Sequence, residues 1–139
     1  MSLDTRCYSL DTRYYFTGGK KMSKLLIVDD EQDVREFAKN FFVKRNIDVR
    51  TAPGGVEALR LIDEDKPDLV LLDVRMGETT GIDVLRELRA KGSDVKVIMV
   101  TGVEDQDVID EAKSLGVVNY VHKPLALDEL EEIVLSQLT

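Results

Sequence analysis

The chain has 139 residues, of which 43% are hydrophobic and 33% charged, and its formal net charge is −8. That is one domain's length with enough apolar residues for one core, so a wholly disordered chain is excluded. An acidic body repels a phosphate backbone, so no direct nucleic-acid binding is expected, and no apolar run approaches the length of a bilayer span. Cys7 is the only cysteine, which rules out an intramolecular disulfide and fits the expected cytoplasmic location.

Residues 1–21 differ from the rest. Ser2–Tyr8 (SLDTRCY) is followed at once by the near-duplicate Ser9–Tyr15 (SLDTRYY), too few copies for a solenoid. Gly18-Gly19-Lys20-Lys21 reads as a linker and Met22-Ser23-Lys24 as a second start. The expectation is an N-terminal extension over 1–21, a leader, an added segment or a disordered arm, followed by one domain over 22–139. With Arg6, Arg13, Lys20 and Lys21 against Asp4 and Asp11, the extension carries +2 and the remainder −10.

From Lys24 the pattern alternates. Leu25–Val28 is a short apolar run that ends in acids. Val34, Phe37, Ala38, Phe41 and Phe42 recur at spacings that share one face of a helix. Ile47–Thr51 reads as a second strand, Pro53-Gly54-Gly55 as a turn, and Ala58, Leu59 and Ile62 as a short helix. Pro67 precedes a strand at Leu69–Leu72. Gly81 opens a helix through Ile82, Leu85 and Leu88 that closes near Gly92. Val95–Val100 is the fourth strand, and Val108, Ile109, Ala112 and Leu115 form a helical face ending at Gly116. Val117–Val121 is the fifth strand, and Leu127, Leu130, Ile133 and Val134 belong to a last helix.

Five apolar strands separated by amphipathic helices predict an α/β, doubly wound parallel sheet with helices on both faces. In such sheets ligands bind beyond the carboxyl ends of the strands. Strand one ends in Asp29-Asp30, strand three in Asp73, strand four in Thr101-Gly102, and strand five is followed by Lys123-Pro124. Three convergent carboxylates repel one another unless a cation lies between them, and an all-oxygen set suits Mg²⁺. A carboxylate can also act as a nucleophile and take up a phosphoryl group. Lys123 and the Thr101 hydroxyl would then hold phosphoryl oxygens, and Gly102 would leave room for the group to enter.

These residues, with Gly81 eight positions after Asp73 and Tyr120 three before Lys123, resemble the receiver domain family of bacterial response regulators. The resemblance covers residues 24 to about 138. It implies the flavodoxin-like strand order 2-1-3-4-5 and a signalling module rather than a turnover enzyme. Asp73 is implied to accept a phosphoryl group from a sensor histidine kinase or phosphotransfer protein. Asp30 is implied as a direct Mg²⁺ ligand, Asp29 as one acting largely through water, and the backbone carbonyl of Arg75 as a further ligand beside Asp73. Thr101, Gly102 and Lys123 are implied to contact the phosphoryl group, and Thr101 and Tyr120 to form a switch pair. That pair would couple the site to the surface of helix four, strand five and helix five, through which a homodimer can form.

The loop after Asp73 departs from the family pattern. Gly77 stands where proline is usual, and Thr80 where an acid is common. Plainer readings stand beside these. Asp29-Asp30-Glu31 could simply favour a helix N-terminus, Lys123 could be a solvated lysine, and Tyr120 a half-buried strand aromatic. An interaction module that is never phosphorylated and an aspartyl-nucleophile phosphatase are the alternatives. Arg75 argues against the second, since it stands where such a phosphatase often has a second acid. No output domain follows within the sequence, compatible with a stand-alone receiver or a piece of a longer regulator.

Overall fold

The structure, a computed structural model, describes residues 22–76, 79–102, 105–123 and 126–138. The expectations for residues 1–21, Gly77 and Pro124 lie outside the described residues.

Five strands form the sheet: β1 (Lys24–Val28), β2 (Asp48–Ala52), β3 (Leu69–Asp73), β4 (Lys96–Thr101) and β5 (Asn119–His122). All four pairings are parallel and the order is β2-β1-β3-β4-β5, as expected. A parallel neighbour needs a crossover, and the five helices supply it: α1 (Gln32–Val43), α2 (Gly55–Asp65), α3 (Gly81–Ala90), α4 (Gln106–Ser114) and α5 (Leu127–Leu138). A two-residue antiparallel ladder, Arg75–Met76 against Thr79–Thr80, lies between β3 and α3.

Alternation along each strand divides the interior into two cores. Leu26, Val28, Val70, Leu72, Val97 and Met99 face α2, α3 and α4, where Ala58, Ile62, Ile82, Leu85, Leu88 and Ala112 meet them. Leu25, Ile27, Leu69, Leu71, Ile98 and Val100 face α1 and α5, against Ala38, Phe42, Leu130 and Val134. Burial on both faces is why these strands read as unbroken apolar runs.

Two details differ from the sequence reading. Phe37 is 61% exposed, so the core-facing stripe of α1 is narrower than expected. Ala38 and Phe42, one turn apart, fill the core, while the Phe41 ring meets Phe42 edge to face and lies under the Arg45 guanidinium. Arg45 also pairs with Glu131 at 2.7 Å and so ties α1 to α5. Strand five begins at Asn119, not Val117. The Val117 N–H closes back on the Ala112 carbonyl while Gly116 takes a left-handed φ of 80° and bonds Lys113. That pair of bonds is a Schellman closure, so Val117 belongs to the end of α4.

Candidate functional site

The register brings the candidate residues to one edge of the sheet. Val28 lies opposite Leu72, so Asp29 follows β1 beside Asp73 at the end of β3. Thr101, the last residue of β4, lies opposite His122, and the Lys123 N–H donates to the Thr101 carbonyl at 2.7 Å. Four chain segments therefore converge where the parallel strands end.

The Lys123 ammonium joins two of the acids. It donates to Asp73 Oδ2 at 2.9 Å and lies 3.7 Å from Asp29 Oδ2. The second Asp73 oxygen accepts the Arg75 N–H at 3.1 Å, and Asp29 Oδ1 accepts the Glu31 N–H at 2.9 Å. Asp29 and Asp73 are each only 5% exposed and Thr101 is fully buried, while Asp30 and Gly102 face solvent. A Cβ on Gly102 would meet open space.

Burial, aided by the neighbouring Asp73 charge, pushes the Asp29 carboxyl up to about 6, against the opposing pull of the Glu31 N–H and Lys123. At Lys123 burial works against the charged form. The hydrogen bond to Asp73 and the charges of Asp73, Asp29 and Glu31 outweigh it and hold the ammonium above its ordinary range. The cluster thus has more acid than one lysine neutralises. Among the described residues, Asp29, Asp30 and Glu31 each offer an oxygen within 4.8 Å of the others. An all-oxygen donor set of this kind fits a hard divalent cation.

Helix capping does not account for these acids. Glu31 occupies the N-cap of α1, yet no side-chain cap bond forms there. Thr80 does cap: its hydroxyl accepts the Asp83 N–H at 3.2 Å, and Asp83 reaches back to the Thr80 N–H, a capping box on α3. Threonine in the usual place of an acid therefore still serves as an N-cap.

Gly81 is needed for a reason the spacing did not reveal. A Cβ there would sit inside the van der Waals shell of the Asp73 carbonyl oxygen, and the Gly81 N–H donates to the Val74 carbonyl at 2.7 Å. Glycine lets α3 begin directly against the backbone of Asp73. Two other residues at the site were missed. Glu31 was visible as a third consecutive acid. Arg35, whose Nη1 donates to the Asp29 carbonyl at 2.7 Å, carried no sequence signal. The Arg75 side chain is exposed, and so is His122.

Tyr120 is half-buried against α4 and the core beneath it, with its ring edge-on to His122 at 5.6 Å. Its hydroxyl is buried and has no hydrogen-bond partner among the described residues, so it makes no bond to Thr101. Two surface depressions lie at the opposite end of the sheet, around Lys24, Asp65, Asp68 and Lys96, and another lies between α4 and β5 beside Tyr120 and His122.

The family model for the response regulator receiver domain matches residues 25–135. The chain belongs to that family. The receiver is 33% identical over 111 residues to sporulation initiation phosphotransferase F of Bacillus subtilis, covering 80% of this chain and 90% of that protein. It is 38% identical over 113 residues to the regulatory protein AtoC of Escherichia coli, but those span 81% of this chain and only 24% of AtoC. Among solved structures it superposes on the response regulator TrrA of Thermotoga maritima with a TM-score of 0.74 and 34% identity. That match covers 84% of this chain and all of TrrA, which was solved in complex with Mg²⁺-BeF. A CheY-like receiver from Methanospirillum hungatei shares the fold with a TM-score of 0.81 at 24% identity, over 85% of this chain and 94% of its own. The receiver is thus a two-component signalling domain. No helix among its described residues is long and apolar enough to cross a membrane.

Proposed function

We propose that this receiver accepts a phosphoryl group on Asp73 and signals through the surface of α4, β5 and α5. The observation that carries the reading is the Lys123 ammonium 2.9 Å from Asp73 Oδ2, within a cluster of acids at the strand ends. Asp73 attacks phosphorus, the Asp73 O–P bond forms, and the bond to the donor's leaving nitrogen or oxygen breaks as that atom takes up a proton. Lys123 then exchanges its carboxylate partner for a phosphoryl oxygen, and the Thr101 hydroxyl donates to another. Gly102 leaves the approach open. Asp29, Asp30, Asp73 and the Arg75 carbonyl are the residues that would hold Mg²⁺. When bound, Mg²⁺ would offset the negative charge that accumulates on the phosphoryl oxygens.

The charge change at Asp73 biases a two-state packing in which Thr101 shifts towards the phosphoryl group and Tyr120 turns further inward. The Tyr120 hydroxyl, without a partner among the described residues, supports a ring with a second position available. The donor is a sensor histidine kinase or phosphotransfer protein, in keeping with the phosphotransferase named among the relatives, and the surface of α4, β5 and α5 is where a homodimer can form. The domain spans 22–139 and acts in the cytoplasm, with 1–21 an extension. The exposed Arg75, standing where a phosphatase often has a general acid, does not favour turnover.

Incubation with acetyl phosphate and Mg²⁺ should label the protein, and labelling should vanish in Asp73→Asn or with chelator. Undiminished labelling of Asp73→Asn overturns the assignment.

A further inference from the structure

α4 is held to the body of the domain differently from its neighbour α3. Gly81, Ile82, Val84, Leu85 and Leu88 of α3 are buried, whereas α4 buries Ala112 alone. So small an apolar anchor leaves much of the grip on α4 to polar contacts, and α3 supplies them. The Arg86 guanidinium forks onto both Glu111 oxygens, with Nη2 2.9 Å from Oε1, and its Nη1 donates to Asp83 Oδ1 at 2.8 Å. Arg89, one turn further along, donates to the Leu115 carbonyl at 2.7 Å and the Gly116 carbonyl at 3.4 Å, where α4 ends. It also holds the Ser93 and Val95 carbonyls, at 3.0 and 2.9 Å. The other end of α3 abuts the acceptor strand. Gly81 lies hard against the Asp73 carbonyl, and Asp83, which holds Arg86, closes the capping box with Thr80. A contiguous set of contacts thus joins the Asp73 backbone to α4 by a route separate from Thr101 and Tyr120.

We propose that the Arg86–Glu111 pair is a latch that holds α4 against α3 in the resting protein and sets how readily the domain passes to its signalling packing. This rests on the reading of Asp73 as the phosphoryl acceptor and of Tyr120 as a ring that turns inward. Tyr120 shares a groove with Ile109 and Lys113 of α4, so the ring gains room as α4 shifts. Arg89 grips backbone carbonyls at the last turn of α4 and serves as the pivot. The Arg86 fork, nearer the middle of the helix, is the part that lets go. Both of its partners keep contact with solvent, so the bond is weak enough to yield to a modest bias and is screened by salt. Whatever weakens the resting packing must, by linkage, strengthen the binding of a ligand that selects the other one.

The test is a double-mutant cycle of Arg86→Gln, Glu111→Gln and the two together. Amide hydrogen exchange along α4 is read against α3, and binding of beryllofluoride with Mg²⁺, as a phosphoryl analogue, is titrated beside it. At low salt each single variant should speed exchange along α4 about threefold relative to α3, the size an exposed ion pair supplies. Beryllofluoride should bind tighter by a similar factor. The double variant should match the single ones rather than sum them. High salt should loosen α4 in wild type and leave the variants unmoved. If α4 exchanges as in wild type in all three variants, the pair holds nothing and the proposal is wrong. If α4 loosens while beryllofluoride affinity stays at the wild-type value, the pair is structural only and the proposal is wrong again. If wild type itself binds no beryllofluoride, the reading of Asp73 fails, and the coupling inferred here fails with it.

Discussion

The two strands that bring Asp73 and Lys123 together could hardly differ more. β3 is buried along its whole length, bonded on both sides by β1 and β4, and both oxygens of its terminal Asp73 are hydrogen-bonded. β5 is an edge strand with β4 as its one neighbour in the sheet. It is half-exposed, and its Tyr120 hydroxyl is buried without a partner among the described residues. The contrast suits a fixed acceptor opposed by an adaptable reader. Under the proposed function, the acceptor Asp73 sits on a strand paired on both sides, and Tyr120 on a strand paired on one.

The comparison breaks most visibly at Gly81. Gly81→Ala drives a methyl group into the Asp73 carbonyl and should cost about 3 kcal/mol, the upper end for overpacking, read as a lower midpoint in urea. A loss under about 1 kcal/mol would mean that the backbone after β3 yields easily, and the rigid half of the comparison would fall.

A pH series separates the two sides by charge. The folded protein holds the Asp29 proton up to about 6, where the unfolded chain releases it near 3.8. Cation-free protein should therefore lose stability as pH rises through that window, because the folded state binds the extra proton. If Asp29 belongs to the proposed cation site, binding must displace that proton, and apparent Mg²⁺ affinity should fall roughly tenfold per pH unit below about 6. Tm measured against pH with and without Mg²⁺ checks both slopes, which should diverge above pH 6. Parallel curves would remove Asp29 from the cation site.

The smallest effect is expected at the edge. Tyr120→Phe removes a buried hydroxyl that makes no bond to the described residues and should raise stability by up to about 1 kcal/mol. A clear loss of stability would show that the hydroxyl is paired in solution and that β5 is as settled as β3.

Much of the fold was legible because a parallel sheet covered on both faces must be apolar at every interior position. Leu25–Val28, Leu69–Leu72 and Val97–Val100 could scarcely be anything else. Strand five was misplaced at its start because Val117 and Val118 look like strand residues, and only the hydrogen bond back to Ala112 assigns Val117 to the end of α4. Phe37 was assigned to the core by its spacing. Phobic character alone does not say how wide a stripe the sheet can cover, and the structure leaves that ring 61% exposed.

The sequence by itself determined the strand ends, and with them Asp29, Asp30, Asp73, Thr101 and Lys123 as candidates, because chemistry at a parallel sheet collects where the strands stop. Tertiary structure alone decided the distances. Lys123 meets Asp73 across 50 positions of chain, Arg35 reaches the Asp29 carbonyl, and Gly81 clears the Asp73 backbone. Each depends on how separate elements pack against one another, and local sequence pattern carries no record of that.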